Sequence, residues 1–125
     1  MSGNRYVLDT NAIVALLQGN IQLIELLKDA DWIGVSVISQ IEFLVFPGLT
    51  QDDRQIFDQF LQRVEVMDLA TIDIVLIDKI IEIRQQYRLK LPDAIITAMA
   101  IQNSASLVTA DQELAKVTTL MVINW

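Results

Sequence analysis

The stretch that decides the fold is Arg5-Tyr6-Val7-Leu8-Asp9-Thr10-Asn11-Ala12-Ile13-Val14-Ala15-Leu16-Leu17, which runs on to Gly19. Arg5 to Leu8 reads as a short strand, and Thr10 to Leu17 as a helix that Gly19 breaks. An acid, Asp9, stands at the junction of the two. Beyond Gly19, short runs rich in Val and Ile keep alternating with helical patterns. Ile21 to Lys28 reads as a second helix, with Ile21, Ile24 and Leu26 or Leu27 on one face. Trp32 to Val37 is the next strand, and Ser39 to Phe46 a helix stopped by Pro47-Gly48. Thr50-Gln51-Asp52-Asp53 resembles a capping start for a helix to about Gln62 that carries Ile56, Phe57, Phe60 and Leu61. Val64 to Leu69 is a third strand. Thr71 is expected to cap a long helix to about Tyr87, with Ile72, Val75, Leu76, Ile80 and Ile83 as its apolar positions. Pro92 suits the first turn of a helix ending near Asn103. Ser106 to Thr109, a helical turn at Gln112 to Leu114, and a strand at Leu120 to Ile123 complete the pattern. With no repeat and no linker in the pattern, this alternation predicts one α/β domain over residues 1–125, with a mainly parallel five-stranded sheet layered between helices.

The bulk numbers narrow the chemistry. At 125 residues the chain has room for one sizeable core, and 53% hydrophobic residues with few Gly or Pro exclude disorder. There is no Cys, so disulfides, thiol catalysis and cysteine-held zinc are excluded, and no His, the commonest general base and transition-metal ligand. Catalysis would have to run on carboxylates, hydroxyls, amides, Lys or Arg. The first residues lack the pattern of a signal peptide, and no apolar run approaches the roughly 18 residues that a membrane span requires. A soluble, cytoplasmic protein with no membrane partner is expected. The net charge of −7 argues against broad adhesion to nucleic acid, while the high apolar fraction points to a surface covered by a partner or a second copy.

In a parallel sheet, ligands bind beyond the carboxyl ends of the strands. Asp9 follows the first strand and Asp111 the fourth, so neighbouring strands would project both from one edge. Asp93 stands in the first turn of the helix beginning at Pro92, whose apolar composition predicts burial in the middle of the domain. Glu42 lies amid Ile41, Phe43, Val45 and Phe46, an awkward setting for a charge. Each acid also has a plainer role available. Asp9 and Asp111 could cap the helical segments that follow them, Asp93 gains from the helix dipole, and Glu42 could reach solvent along its stem. Together, however, four converging acids would repel, and no basic residue adjoins Asp9, Glu42 or Asp111 in sequence. A hard divalent cation, Mg²⁺ or Mn²⁺, is the natural counter-charge. Two such ions could clamp the attacking and leaving oxygens of a phosphodiester.

The succession Val7-Leu8-Asp9-Thr10-Asn11, Ile38-Ser39-Gln40-Ile41-Glu42, Leu91-Pro92-Asp93-Ala94-Ile95-Ile96-Thr97-Ala98-Met99-Ala100 and Leu107-Val108-Thr109-Ala110-Asp111 resembles the PIN domain, in particular the VapC-type toxins of toxin–antitoxin pairs. The resemblance implies a sheet of order 3-2-1-4-5 and Mg²⁺- or Mn²⁺-dependent endoribonuclease activity on RNA. It further implies a homodimer and inhibition by a small antitoxin. Carried over, it makes Asp9, Asp93 and Asp111 ligands of the principal ion. Glu42 becomes the acid that, with Asp93, holds a second ion or orients water. Thr10, Asn11 and Thr109 become the polar groups that support the acids.

Two features depart from that pattern. An aromatic often follows the last acid, whereas here Glu113 stands two residues after Asp111 and could share or replace its role. The acidity is the other, although two bound divalent ions would offset more than half of it. Arg84, Arg88 and Lys90 precede Asp93; they could meet an RNA backbone or simply form a solvated face. Among rivals, a haloacid-type phosphatase needs an Asp where Asn11 stands, and a phosphoaspartate receiver needs a late Lys that cannot be placed. A PIN fold kept as a binding or regulatory module with little or no turnover is the serious alternative, and DNA cleavage is a third.

Overall fold

In the computed structural model, which describes residues 3–71 and 73–125, Arg5–Leu8 (β1) is the middle strand of a five-stranded sheet. Trp32–Ser36 (β2) and Ser106–Val108 (β4) flank it. Glu65–Met67 (β3) and Val122–Ile123 (β5) form the edges, giving the order β3-β2-β1-β4-β5. All the pairings are parallel, so the carboxyl ends of the strands share one edge. Alternation along β1 divides the core. Val7 faces a cluster with Leu107, Leu76, Ile80, Ile96 and Met99, whereas Tyr6 and Leu8 face one with Ile13, Leu23, Val35 and Phe57. The strand is apolar because it is covered on both sides. Thr10–Leu17 (α1), Ile21–Lys28 (α2), Val37–Leu44 (α3) and Gln51–Leu61 (α4) contribute to the second cluster. Ile74–Tyr87 (α5) and Leu91–Gln102 (α6) contribute to the first.

Local signals explain the boundaries. Gly19 adopts φ +87°, which favours glycine, and Asn20 accepts from the Leu23 N–H to start α2. Thr50 and Asp53 exchange side-chain and backbone bonds of 3.1 and 3.0 Å, the expected capping box of α4. β2 gives way to α3 earlier than the Val37 and Ser39 expectations, because the Ser36 hydroxyl accepts from Ile38 N–H at 3.1 Å. β3 is shorter than Val64 to Leu69, since Leu69–Thr71 coils into a 3₁₀ turn. The long helix is capped by Asp73, which accepts from Leu76 N–H at 2.9 Å, rather than by Thr71. Ile72 and the Thr71 side chain lie outside the described residues. The helical turn after β4 runs on to Lys116, and β5 begins only at Val122.

Two expected apolar faces are corrected. In α2 the buried residue is Leu23, while Ile21 is 74% exposed and Ile24 40%. In α5 Leu76, Ile80 and Ile83 are buried but Val75 is exposed. No single helix among the described residues is long and apolar enough to cross a membrane.

Phe57 of α4 is fully buried and stacks on Phe43 of α3 with centroids 4.0 Å apart, so α4 braces the helix that carries Glu42. Replacing a large buried aromatic by alanine removes its transfer energy and leaves a cavity. Phe57→Ala should therefore lower the unfolding free energy by about 3–5 kcal/mol in urea titrations. A loss under about 1 kcal/mol would contradict this packing role.

Candidate active site

The carboxyl ends of β1 and β4 are joined beyond the ladder by an Asp9 N–H to Val108 carbonyl bond of 3.0 Å. This brings Asp9, only 7% exposed, beside the fully buried Thr109. The Thr109 hydroxyl donates to Asp9 Oδ2 at 2.8 Å. Thr109 Oγ1 also accepts from the Asp111 N–H at 3.0 Å and from Asn11 Nδ2 at 3.3 Å. Asn11 Oδ1 in turn accepts the Ala110 N–H at 2.9 Å. One hydroxyl thus fixes side chain and backbone from both strand ends.

Asp9 Oδ1 accepts the Thr10 N–H at 2.8 Å, and Thr10 Oγ1 donates to Glu42 Oε1 at 2.6 Å. Glu42 is half-buried on α3, and its apolar neighbours Ile41, Val45 and Phe46 are exposed. Asp93 sits in the first turn of α6, half-buried, with no hydrogen-bond donor among the described residues on its carboxylate. Asp111 is half-buried and its Oδ1 caps the 3₁₀ turn through Glu113 N–H at 3.0 Å.

These acids open onto one cleft of about 540 Å³, lined by Asp9, Glu42, Asp93, Asp111, Thr10 and Asn11 and walled by Val45, Phe46 and Pro47. The plainer roles therefore coexist with convergence: Asp9 and Asp111 cap helical segments and still line the cleft. Glu113 is not among the lining residues; it is exposed and its Oε2 lies 3.5 Å from Lys116 Nζ. Thr109 lies beneath the floor rather than on it. Arg84, Arg88 and Lys90 are exposed, with Arg88 at φ 54° closing α5 and Lys90 immediately before α6.

Burial raises the pKa of Asp9; the Thr109 and Thr10 hydrogen bonds work against this, and the Glu42 and Asp111 charges add to it. For Asp93 burial is again the largest cause, followed by the charges of Asp9, Asp111 and Glu42, with Lys90 opposing them. The cleft is therefore a carboxylate-rich site whose like charges are only partly compensated, by hydrogen bonds at Asp9 and by Lys90 at Asp93. Among the described residues, no three acids form a ready-made ion cage. The donor set is nevertheless the kind that hard divalent ions take, and such ions keep several waters, which lessens the need for close protein ligands.

Asn124, which sequence reasoning did not single out, donates from its side-chain amide to the Thr109 carbonyl. No local signal marks it. Only the pairing of β4 with β5 brings it there.

Residues 6–120 match the PIN domain family, and the chain belongs to that family. Among solved structures, it is similar to VapBC2 from Rickettsia felis bound to a DNA fragment from its promoter. That match has 25% identity and a TM-score of 0.78, covering 97% of this chain and 98% of the other. A toxin–antitoxin complex from Klebsiella pneumoniae matches at 25% identity and TM-score 0.76, covering 94% and 95%. FitAB bound to an IR36 DNA fragment shares the fold, at 19% identity and TM-score 0.76 over 95% and 94%. No curated protein is a significant match.

Because the folded state raises the Asp93 pKa above 3.8, the fold favours the neutral acid. Its contribution to stability is fully present below the unfolded value and is lost as pH rises through the raised one. In EDTA, Asp93→Asn should melt a few degrees above wild type at neutral pH, and the difference should shrink toward pH 3.8. Lower neutral-pH melting of the variant would contradict the repulsion.

Proposed function

We propose that this protein, as one PIN-like domain over residues 1–125, is a Mg²⁺- or Mn²⁺-dependent endoribonuclease and the toxin of a toxin–antitoxin pair. The observation that carries the proposal is the gathering of Asp9, Glu42, Asp93 and Asp111 around one open cleft, with Lys90 acting against their repulsion at Asp93. Asp9, Asp93 and Asp111 would hold the principal ion, and Glu42 with Asp93 a second. When bound, divalent ions would supply Lewis-acid stabilisation of phosphodiester oxygens and would orient and acidify a water. Thr109 and the Thr10 N–H hold the two oxygens of Asp9 in place, and the Thr10 hydroxyl holds Glu42. Lys90, whose charge acts on Asp93, would offer a cation to an incoming phosphate, and the exposed Arg84 and Arg88 would extend the contact with an RNA backbone.

Support for a protein partner comes from an apolar groove of about 300 Å³ beside the cleft, lined mainly by Val14, Leu17, Phe43, Leu49 and Ile56 and sharing Phe46 and Pro47 with it. We assign this groove to a small antitoxin, in keeping with the toxin–antitoxin complexes that the chain resembles. Exposed Ile74, Ile77 and Ile81 along α5 suit a homodimer. A cytoplasmic location follows from an RNA target.

Purified protein should cleave single-stranded RNA in Mg²⁺ or Mn²⁺, stop in EDTA, and lose at least about a hundredfold in rate in Asp9→Asn or Asp93→Asn, given the charge stabilisation at stake. Equal cleavage by wild type and both variants would refute the site. Inactivity on diverse RNAs with tight binding of a protein partner would favour a PIN-fold binding module.

A further inference from the structure

The grip on Thr109 from the strand-edge side has a role of its own. Thr109 is fully buried, so its backbone groups cannot turn to water for partners. Two consecutive residues of the neighbouring segment supply them. The Ile123 carbonyl accepts the Thr109 N–H at 3.0 Å, and the Asn124 side-chain amide donates to the Thr109 carbonyl. Both polar groups of the residue are thereby held from the same side. The held residue presents the hydroxyl that donates to Asp9 and accepts from Asn11 and the Asp111 N–H. β5 is a two-residue edge strand, paired with β4 only through Leu107↔Val122 and Val108↔Ile123. So short an edge element sits at the low-stability end of a fold and frays readily. A side-chain bond reaching past the last ladder pair is what extends the grip to the site.

We propose that Asn124 is a positioning residue for the cleft: its amide clamps the Thr109 carbonyl and so keeps the Thr109 hydroxyl aimed at Asp9 and Asp111 in register with it. Asn124 does not line the cleft, and its side-chain hydrogen bond goes to Thr109, not to an acid. Its influence passes through Thr109 alone. The proposal builds on the metal-site reading above, and it also makes a claim about the metal-free protein.

The test compares wild type, Asn124→Ala and Asn124→Gln in the full chain. Gln retains an amide donor at an exposed position with room for the longer stem. In metal-free protein, Asn124→Ala should speed amide exchange at Thr109, Ala110 and Asp111 by about tenfold, while Val7 and Val35 in the central strands stay protected. Calorimetric titration with Mn²⁺ should show binding weakened about three- to tenfold by Ala and restored toward wild type by Gln, near the lower end of what outer-shell groups confer. Unchanged exchange at the three amides would overturn the proposal. So would a uniform loss of protection matching a fall in Tm, because it would make Asn124 a general stability residue. If wild type binds no Mn²⁺, the metal-site reading fails, and the exchange pattern alone decides the role of Asn124.

Discussion

The bond from the Thr109 hydroxyl to Asp9 Oδ2 is the interaction on which the site depends. Two parallel strands place a residue each just past their last pair, and a parallel ladder cannot specify how those residues' side chains meet. The hydroxyl does so, because it can donate once and accept twice. It spends the donor on an acid and takes two N–H groups in return, from the Asn11 side chain and the Asp111 backbone. Burial makes the Thr109–Asp9 bond costly to break, since both groups lie away from water.

That rigid floor supports a surface that is electrostatically unfavourable. Asp9 and Asp93 are partly desolvated; Asp9 feels the charges of Glu42 and Asp111, and Asp93 those of Asp9, Asp111 and Glu42. The Thr109 and Thr10 hydrogen bonds at Asp9 and the Lys90 charge at Asp93 offset part of this cost, and the two apolar clusters on either side of β1 hold the site together. Such a balance is common at functional sites, where groups are held for what they bind rather than for stability. Asp93 is the clearest instance: it has favourable helix-dipole placement but no hydrogen-bond donor on its carboxylate among the described residues.

Much of the fold is legible because its signals are local. The Val7-Leu8 strand, the Gly19 break, the Thr50–Asp53 box and Pro92 in the first turn of α6 each act within a few residues. The acids are legible as a group because Asp9 and Asp111 follow strands and Asp93 opens a helix. What fails is the choice of buried face. In a chain this apolar, Ile21 and Ile24 look as core-like as Leu23, and only tertiary packing separates them. The start of the long helix is misplaced by two residues, since Asp73 and not the expected Thr71 provides its cap. Glu113 could not be distinguished from Asp111 by sequence. The Asp111 side chain stays at the cleft because it caps the turn, and that turn carries Glu113 outward to Lys116. Asn124 was invisible because strand pairing, not sequence proximity, brings it to Thr109.

The central claim is that the four carboxylates form one divalent-ion site on the PIN scaffold. The most direct measurement is an anomalous difference map from a crystal of the protein grown in Mn²⁺. Density is expected in the cleft among Asp9, Asp93 and Asp111, and should be lost in Asp93→Asn. Manganese bound elsewhere, or a cleft without density at saturating Mn²⁺, would contradict it.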